Sequence, residues 1–586
     1  MNRQQSDILK VLCSNSYTNQ RVLSEISGYS LGIVNQSLKR LVEEGFLNED
    51  FAVTSQAKKE LESNRPANAI ILAAGYGMRM VPINLESPKA FMEVKKQPLI
   101  ERIIEQLNEA GIFDISVVVG FMKEKFEYLI DKYDVTLIYN SMYSSKNNLH
   151  SLKIAADKLS NTYIIPCDIW CANNPFCRYE LYSWYMVSNR TDGESEVRVS
   201  RKKELVICND KQVGNSMIGI AYLTAEDSRR VRERLIEYDS EKKHTNSFWE
   251  EVLYENGKMF IQAKVVSSAD VVEINTYEQL RELDEDSRHL NSVCIEVILK
   301  VLGVHKNEIV NIEVLKKGMT NRSFLFETDG KKYIMRVPGE GTDLLINRKE
   351  EALVYNKIKN KRICEDIIYI DSVHGYKITT FIENARVCDP AKEDDIRKCM
   401  KKLKEFHQLR LTVPHEFSLV KQIDFYEKLW NGVPSIFRDY ENTKKNVLSL
   451  QSFINLHSAE RCLTHIDAVP DNFLFSPNDN GTEEIYLIDW EYAAMQDPHV
   501  DIAMFCIYSL YDKREIDTLI DIYFDGNCEE AVRTKIYCYI ATCGLLWSNW
   551  CEYKRSLGVE FGEYSLRQYR YAKDYYQIAK DRMGEG

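Results

Sequence analysis

The stretch Ala69-Ile70-Ile71-Leu72-Ala73-Ala74-Gly75-Tyr76-Gly77-Met78-Arg79-Met80 leaves a chain little choice of fold. Its first half is a continuous apolar run of strand length, the pattern of a parallel strand buried on both faces. Its second half breaks into small residues. Gly75 and Gly77 let the backbone turn tightly and present bare N–H groups to an anion. Arg79 then offers a planar fork for phosphate oxygens, and Lys89, after Pro88, adds a point charge. Strand, glycine loop and two cations predict a triphosphate site at the carboxyl end of a sheet, where ligands of such sheets sit. Leu72, Ala73, Ala74, Gly75 and Gly77 are placed around the nucleotide, with Arg79 and Lys89 as the catalytic cations. The run is not a Walker loop, which needs G-K-[ST]. Met80 stands where a dinucleotide fingerprint has its third glycine.

Alternation continues downstream. Leu99 to Asn108 reads as a helix, Ile115 to Val119 as a strand, Phe126 to Lys132 as a helix and Val135 to Tyr139 as a strand. Such alternation predicts an α/β doubly wound parallel sheet. The strand Tyr163 to Pro166 runs into Asp168, well placed to hold Mg²⁺ beside phosphate oxygens.

The pattern L-A-A-G-x-G-x-R-M, then P-K, resembles the signature of the sugar-1-phosphate and phosphocholine nucleotidyltransferases. The resemblance implies that Asp168 binds the metal. It puts Asn275, in Val272-Glu273-Ile274-Asn275, at a second ligand position where a carboxylate is the better donor. Asn140 and the run Ser145 to Leu152 resemble the nucleotide-base segment of phosphocholine cytidylyltransferases, which assigns Asn148 and Ser151 to the base; Asn and Ser supply both donors and acceptors. Ser247-Phe248-Trp249-Glu250-Glu251 also resembles those enzymes, with Trp249 as an aromatic face and Glu250 as a carboxylate for a quaternary ammonium. The other aromatic wall has no counterpart in Ser200 to Leu205, so the phospho-amine stays open. The implied reaction is attack of a substrate phosphate oxygen on the α-phosphorus of CTP, carried by positioning and charge neutralisation.

A charged linker, Leu283-Asp284-Glu285-Asp286-Ser287-Arg288, precedes a second set of signals. Lys317-Gly318-Met319-Thr320-Asn321 lies between two strand-like runs, and a glycine hairpin there can fold over ATP phosphates. Arg336, on the next strand, sits where kinases keep their phosphate-pairing lysine, and Glu351 is its expected partner. Thr464 to Asn472 has the form H-x-D-x4-N. Asp467 there can take the proton of an attacking hydroxyl, and Asn472 can hold Mg²⁺. Asp489, at the end of a strand, supplies a second metal-binding carboxylate. His465 reads as a structural orienter. This half resembles choline kinases within the aminoglycoside-phosphotransferase-like fold, an α+β kinase-like domain with a helical C-terminal lobe. The resemblance is carried by Gly318 to Asn321, Ile488-Asp489-Trp490-Glu491-Tyr492 and Asp497-Pro498-x-x-Asp501. Glu491, Tyr492, Trp547, Trp550 and Tyr564 then form an aromatic and acidic box for a trimethylammonium group, which offers no hydrogen bond to read.

Residues 1 to 65 read as three helices, a short hairpin and a last helix, and they resemble a small winged helix-turn-helix α+β domain. Thr18 is placed to cap the second helix, with Val22, Leu23 and Ile26 inward. DNA reading through Leu31 to Glu44 is open, but eight Lys and Arg balance eight Asp and Glu in this segment, and DNA readers show a basic face. Protein contact or regulation is equally open.

The whole is multidomain: 1–65 winged helix, 66–288 nucleotidyltransferase, 289–586 choline kinase-like. A length of 586 residues admits about four units at about 150 each. The net charge of −12 argues against general nucleic-acid or membrane binding. Fifteen scattered cysteines without a CxxC pair fit reduced thiols. No apolar run approaches the roughly 18 residues of a spanning helix, and the polar start lacks a signal-peptide core, so no membrane insertion and a cytoplasmic location are expected. The expected small-molecule partners are choline, phosphocholine, ATP and CTP with Mg²⁺, the products serving phosphocholine decoration of surface glycans. The alternatives are ethanolamine, another amino alcohol or a sugar phosphate, and a transcriptional regulator whose enzyme halves act as sensors. Oligomeric state is left open.

Overall fold

The computed structural model describes residues 1–14, 17–77, 80, 87–193, 195–209, 213–315, 321–339, 345–478, 482–556 and 561–584. Arg79 and the hairpin residues Lys317, Gly318, Met319 and Thr320 lie outside the described residues. The chain forms two compact units, Met1–Glu296 and Val297–Gly586.

The first unit opens with the winged helix: helices Arg3–Ser14, Gln20–Ser27, Leu31–Glu43 and Ser55–Ser63, with a bridge between Leu47 and Val53. Ile8, Leu9, Val34, Leu38 and Leu41 make its core. The second helix is capped by Asn19, whose side chain accepts from the N–H groups of Arg21 and Val22, rather than by Thr18 one residue earlier. Leu23 points inward as expected, but Ile26 is 51% exposed, because the shorter helix turns that position to solvent. On the third helix Asn35, Gln36, Lys39 and Arg40 are exposed.

Helix Arg3–Ser14 is seated on the transferase sheet. Lys10 Nζ reaches Glu180 at 2.6 Å, Arg3 Nη2 donates to the carbonyl of Ala263 at 2.9 Å, and Tyr182 Oη donates to Asp7 at 2.7 Å. Leu181 packs into the winged-helix core. Glu180 is fully buried. Burial pushes its carboxyl up, but Lys10 and Lys264 outweigh that and hold it below its ordinary value. Removing one partner of a buried pair leaves an uncompensated charge and costs roughly 3–5 kcal/mol. Lys10→Met is therefore expected to lower the stability of this unit by about 3 kcal/mol, read as a shifted denaturant midpoint; the double change Lys10→Met, Glu180→Gln recovers part of it.

The main sheet of this unit has ten strands. Thr136–Tyr139, Ile115–Val119, Asn68–Ala73 and Thr162–Pro166 lie side by side and all parallel, as the alternation predicts. Side chains of the opening strand alternate between two cores: Ile71 joins the layer under helix Leu99–Glu109, Ile70 and Leu72 the layer under helices Asn148–Ile154 and Ala225–Ser240. Beyond Thr162–Pro166 the sheet becomes mixed. Gly214–Leu223 pairs antiparallel with Thr162–Pro166 and with Trp184–Asp192. Among the described residues no helix lies between Asp192 and Gly214. A parallel return needs a long crossover, whereas an antiparallel one does not.

The second unit begins with five antiparallel strands in the order Val310–Val314, Asn321–Thr328, Lys331–Pro338, Lys377–Thr380, Ile367–Ile370, accompanied by helix Arg348–Ile358. A helical body follows, including Glu393–Gln408, His499–Tyr508, Glu530–Ser556 and Glu563–Gly584. Two small sheets, Cys462–Thr464 with Ala494–Gln496 and Phe473–Pro477 with Glu483–Leu487, carry the loops of the H-x-D and Asp489 motifs. The cysteines are all free thiols. No helix among the described residues is long and apolar enough to cross a membrane.

Candidate active sites

In the first unit three strand ends converge. The carbonyl of Leu72 accepts from Cys167 N (3.2 Å) and that of Ala74 from Phe121 N (3.0 Å), which ties the glycine loop to both neighbouring strands. Gly77 has φ +61°, and a Cβ there would lie 3.2 Å from Lys89 Cβ, so the loop turns directly over Lys89. A Cβ on Gly75 would meet nothing within 4 Å. Lys89 opens the short turn Lys89–Phe91. Its ammonium pairs with Asp168 Oδ2 and donates to Asn275 Oδ1 at 2.9 Å. Asp168 and Asn275 are neighbours because Ile169–Cys171 pairs antiparallel with Val271–Glu273, and Ile274 N donates to the Asp168 carbonyl at 3.0 Å. The glycine loop, Lys89, Asp168 and Asn275 thus form one cluster.

Asp168 Oδ1 is buried and has no hydrogen-bond partner. An orphaned buried carboxylate oxygen is costly unless a cation meets it. Among the described residues no group of three or more His, Cys, Asp or Glu is arranged for a metal. The orphaned Asp168 oxygen fits Mg²⁺, which takes one or two carboxylates and completes its shell with phosphate and water oxygens.

The base-side and amine-side segments are stitched together. Asn148 opens its helix, and its Oδ1 accepts from Trp249 N at 2.8 Å. Ser151 is buried, and its Oγ accepts from Asn140 Nδ2 at 3.0 Å. Trp249 is buried, with its ring 6.0 Å from that of Tyr185. Glu250 Oε1 accepts from Tyr185 Oη at 3.0 Å, while Oε2 is buried without a partner. The Glu250 carboxyl is pushed up to about 7, first by burial and then by Glu273 and Glu196.

In the second unit Arg336 and Glu351 meet as a buried bidentate pair; Nη2 donates to Oε2 at 3.0 Å and to the Gly375 carbonyl at 3.0 Å. Burial pushes Glu351 up, and Arg336 reverses that and holds it low. Arg348 donates to Glu351 at 3.1 Å. Asn321 opens the strand Asn321–Thr328 and donates to Glu491 Oε2 at 2.7 Å. Asn321 and Glu491 therefore face each other in a buried network.

The H-x-D loop is held taut. Ile466, directly before Asp467, has φ +70°, and Asp489 has φ +65°. A β-branched residue in that region costs about 1–3 kcal/mol and persists only when its surroundings impose it. Asp501 imposes it: its carboxylate accepts from His465 N (2.9 Å), Ile466 N (2.7 Å) and His407 Nε2 (3.0 Å). His465 Nε2 lies 2.9 Å from the Ile488 carbonyl, and burial holds its ring below its usual pKa. Neutral and fully buried, it orients the loop. Asn472 Nδ2 donates to Asp467 O (2.9 Å) and Oδ2 (3.3 Å), and Ile488 N donates to the Asn472 carbonyl at 2.9 Å. Asp467, Asn472 and Asp489 are thus bound into one unit. The Asp467 carboxyl is driven well up by burial, then by Asp489 and Glu491. Carboxylates that repel one another in this way suit a divalent cation. The motif carries Asp467, Asn472 and Asp489; the clamping Asp501 lies in the D-P-x-x-D run, but its bonds to residues 35 and 36 positions away are not marked in sequence.

Beside them lies a chain of rings. Tyr492 and Trp547 are 6.2 Å apart at 90°, Trp547 and Trp550 5.4 Å, Trp550 and Phe561 5.0 Å, and Phe561 and Tyr564 6.4 Å. Phe561 belongs to this wall, between Trp550 and Tyr564.

Residues 69–230 match the MobA-like NTP transferase domain, residues 312–527 the choline/ethanolamine kinase family, and residues 1–48 a winged helix-turn-helix DNA-binding family. Over 227 residues the chain is 31% identical to the choline-phosphate cytidylyltransferase of Streptococcus pneumoniae, covering 38% of this chain and 99% of that protein. The chain belongs to the choline-phosphate cytidylyltransferase family. It is also 30% identical over 226 residues to a 2-aminoethylphosphonate cytidylyltransferase of Lancefieldella rimae, covering 37% of this chain and 92% of that one. A solved structure of choline kinase LicA from Streptococcus pneumoniae is 29% identical, covering 50% of this chain and 99% of that one with a TM-score of 0.42. The chain therefore carries a winged helix, a cytidylyltransferase domain and a choline/ethanolamine kinase domain.

Proposed function

We propose that residues 289–586 phosphorylate choline with ATP and that residues 66–288 join the phosphocholine to CTP, giving CDP-choline and pyrophosphate. The supporting observation is that the two units hold separate polar clusters, Asp467 with Asn472 in one and Asp168 with Lys89 and Asn275 in the other. In the first reaction the choline hydroxyl attacks the γ-phosphorus of ATP, Asp467 takes its proton and ADP leaves. Tyr492, Trp547, Trp550 and Tyr564 surround the trimethylammonium group. In the second, a phosphocholine oxygen attacks the α-phosphorus of CTP and pyrophosphate leaves. Lys89 and Arg79 offset the charge on the phosphates, Asn148 and Ser151 border the base, and Trp249 and Glu250 hold the amine. Mg²⁺, held by Asp168 and Asn275 in one site and by Asn472 and Asp489 in the other, would supply charge neutralisation at the phosphates. Arg336, paired with Glu351, borders the ATP phosphates with Thr320 and Asn321. Both donors are cytoplasmic nucleotides, so the reaction belongs in the cytoplasm, and the product is an activated donor suited to placing phosphocholine on surface glycans. For the winged helix, with its balanced charge, we propose a scaffold role, supported by the Lys10–Glu180 seat, ahead of DNA binding.

The test incubates the whole chain with choline, ATP, CTP and Mg²⁺. CDP-choline is expected, with ethanolamine and 2-aminoethylphosphonate as poorer substrates in their respective halves. Preferred turnover of either of those replaces choline; no cytidylylated product from any of them overturns the two-step scheme.

Glu250 gives this a pH signature. Only its ionised form attracts an ammonium group, and ionisation proceeds as pH rises through about 7. The KM for phosphocholine is expected to fall as pH rises towards that value, by up to about tenfold per unit. Glu250→Gln removes this part of the profile and leaves only the titration of the substrate's own phosphate.

A further inference from the structure

Asp239 lies one residue before the end of helix Ala225–Ser240, outside every motif above. Its side chain is 11% exposed. Oδ1 accepts from Lys146 Nζ at 2.8 Å and lies 2.8 Å from His150 Nδ1; Lys146 also donates to the Asp239 carbonyl at 3.1 Å. Lys153 Nζ stands 3.9 Å from Oδ2. One carboxylate therefore gathers Lys146, just before helix Asn148–Ile154, and His150 and Lys153, which share a face of that helix, on the segment that carries Asn148 and Ser151.

The chain then runs from Asp239 directly into the amine side. Tyr238 stacks on His244 at 4.3 Å, and His244 Nδ1 lies 3.0 Å from Ser247 Oγ. Asn147 donates from its backbone to the Thr245 carbonyl (3.1 Å) and from Nδ2 to the Asn246 carbonyl (3.0 Å), and Trp249 N donates to Asn148. Base-side and amine-side segments thus share one set of hydrogen bonds, and Asp239 fixes the base-side end to the helix that leads into the amine side.

We propose that Asp239 is a positioning residue that locks the base-side segment against the amine-side segment, so that the CTP and phospho-amine sites form together. The proposal rests on the assignment of those two segments under Proposed function. A nearly buried carboxylate shared by two or three donors holds them through charge-assisted bonds. A neutral amide of the same shape loses that charge and cannot accept from all of them.

The test is initial-rate kinetics of cytidylyl transfer in the full chain, with CTP and phosphocholine each varied, and choline phosphorylation in the same preparation as the control for folding. Asp239→Asn is expected to raise both KM values together, by about tenfold, with kcat within about twofold and choline phosphorylation unchanged. Lys146→Met, which leaves the carboxylate in place, should raise both in the same sense, and the double variant should be little worse than the worse single one. Unchanged KM values in an active Asp239→Asn chain overturn the lock, as does a change confined to CTP or to kcat. A wild-type chain that makes no CDP-choline while the kinase half works overturns the assignment of the segments and the lock with it.

Discussion

Asp467→Asn is expected to lower choline phosphorylation by about 10²–10⁴-fold in kcat, the usual scale for removing a positioned general base. The amide keeps the shape of the side chain, and the bond from Asn472 to the backbone oxygen of residue 467 remains available. What disappears is the acceptor for the hydroxyl proton. The KM for ATP should move little, since the change does not touch Arg336 or Glu351. Cytidylyl transfer from supplied phosphocholine, measured as pyrophosphate release in the same preparation, should be unaffected. Loss of both activities in a folded chain would falsify the assignment of the two reactions to separate sites.

Lys89→Ala is the converse. It removes the ammonium that meets both Asp168 and Asn275. Losing one pre-placed donor at a site of developing charge costs about 10²–10³-fold, and the Asp168 carboxylate is then left with neither oxygen paired. Pyrophosphate release should fall on that scale while ADP formation from choline and ATP stays at the wild-type rate. Lys89→Arg should not match the wild type: the ammonium is a point donor set between Asp168 and Asn275, and a longer planar fork does not reproduce that placement. An unaltered transferase rate in Lys89→Ala would remove this residue from the reaction.

Much of both sites was legible because their signals are contiguous. The apolar run and its glycines sit where strand Asn68–Ala73 ends, and the spacing of Asp467 to Asn472 is itself the geometry of one loop. Trp547 and Trp550 were readable as one helix face for the same reason, and their rings do meet. Long-range bonds left no such trace. Nothing near Asn321 announces that it turns inward to Glu491, 170 residues on, and nothing near Asp239 announces Lys146. The sheet was half legible: alternation of strand and helix marks parallel pairs, but the antiparallel strands after Thr162–Pro166 are ordered by pairing partners that periodicity does not encode. Cap residues gave the second helix of the winged domain to within one position, since Thr18 and Asn19 can both accept from free N–H groups.

The seat of the first helix also bears on how the protein can be divided. Expression from Asn68 onward would strip away Lys10 and leave Glu180 at the base of the sheet with only Lys264, 3.9 Å off, and the Tyr163 hydroxyl for company. Trimming at the apparent seam would thus leave a buried charge poorly compensated, and a transferase fragment that retains Arg3–Ser14 is expected to unfold at higher denaturant than one that does not.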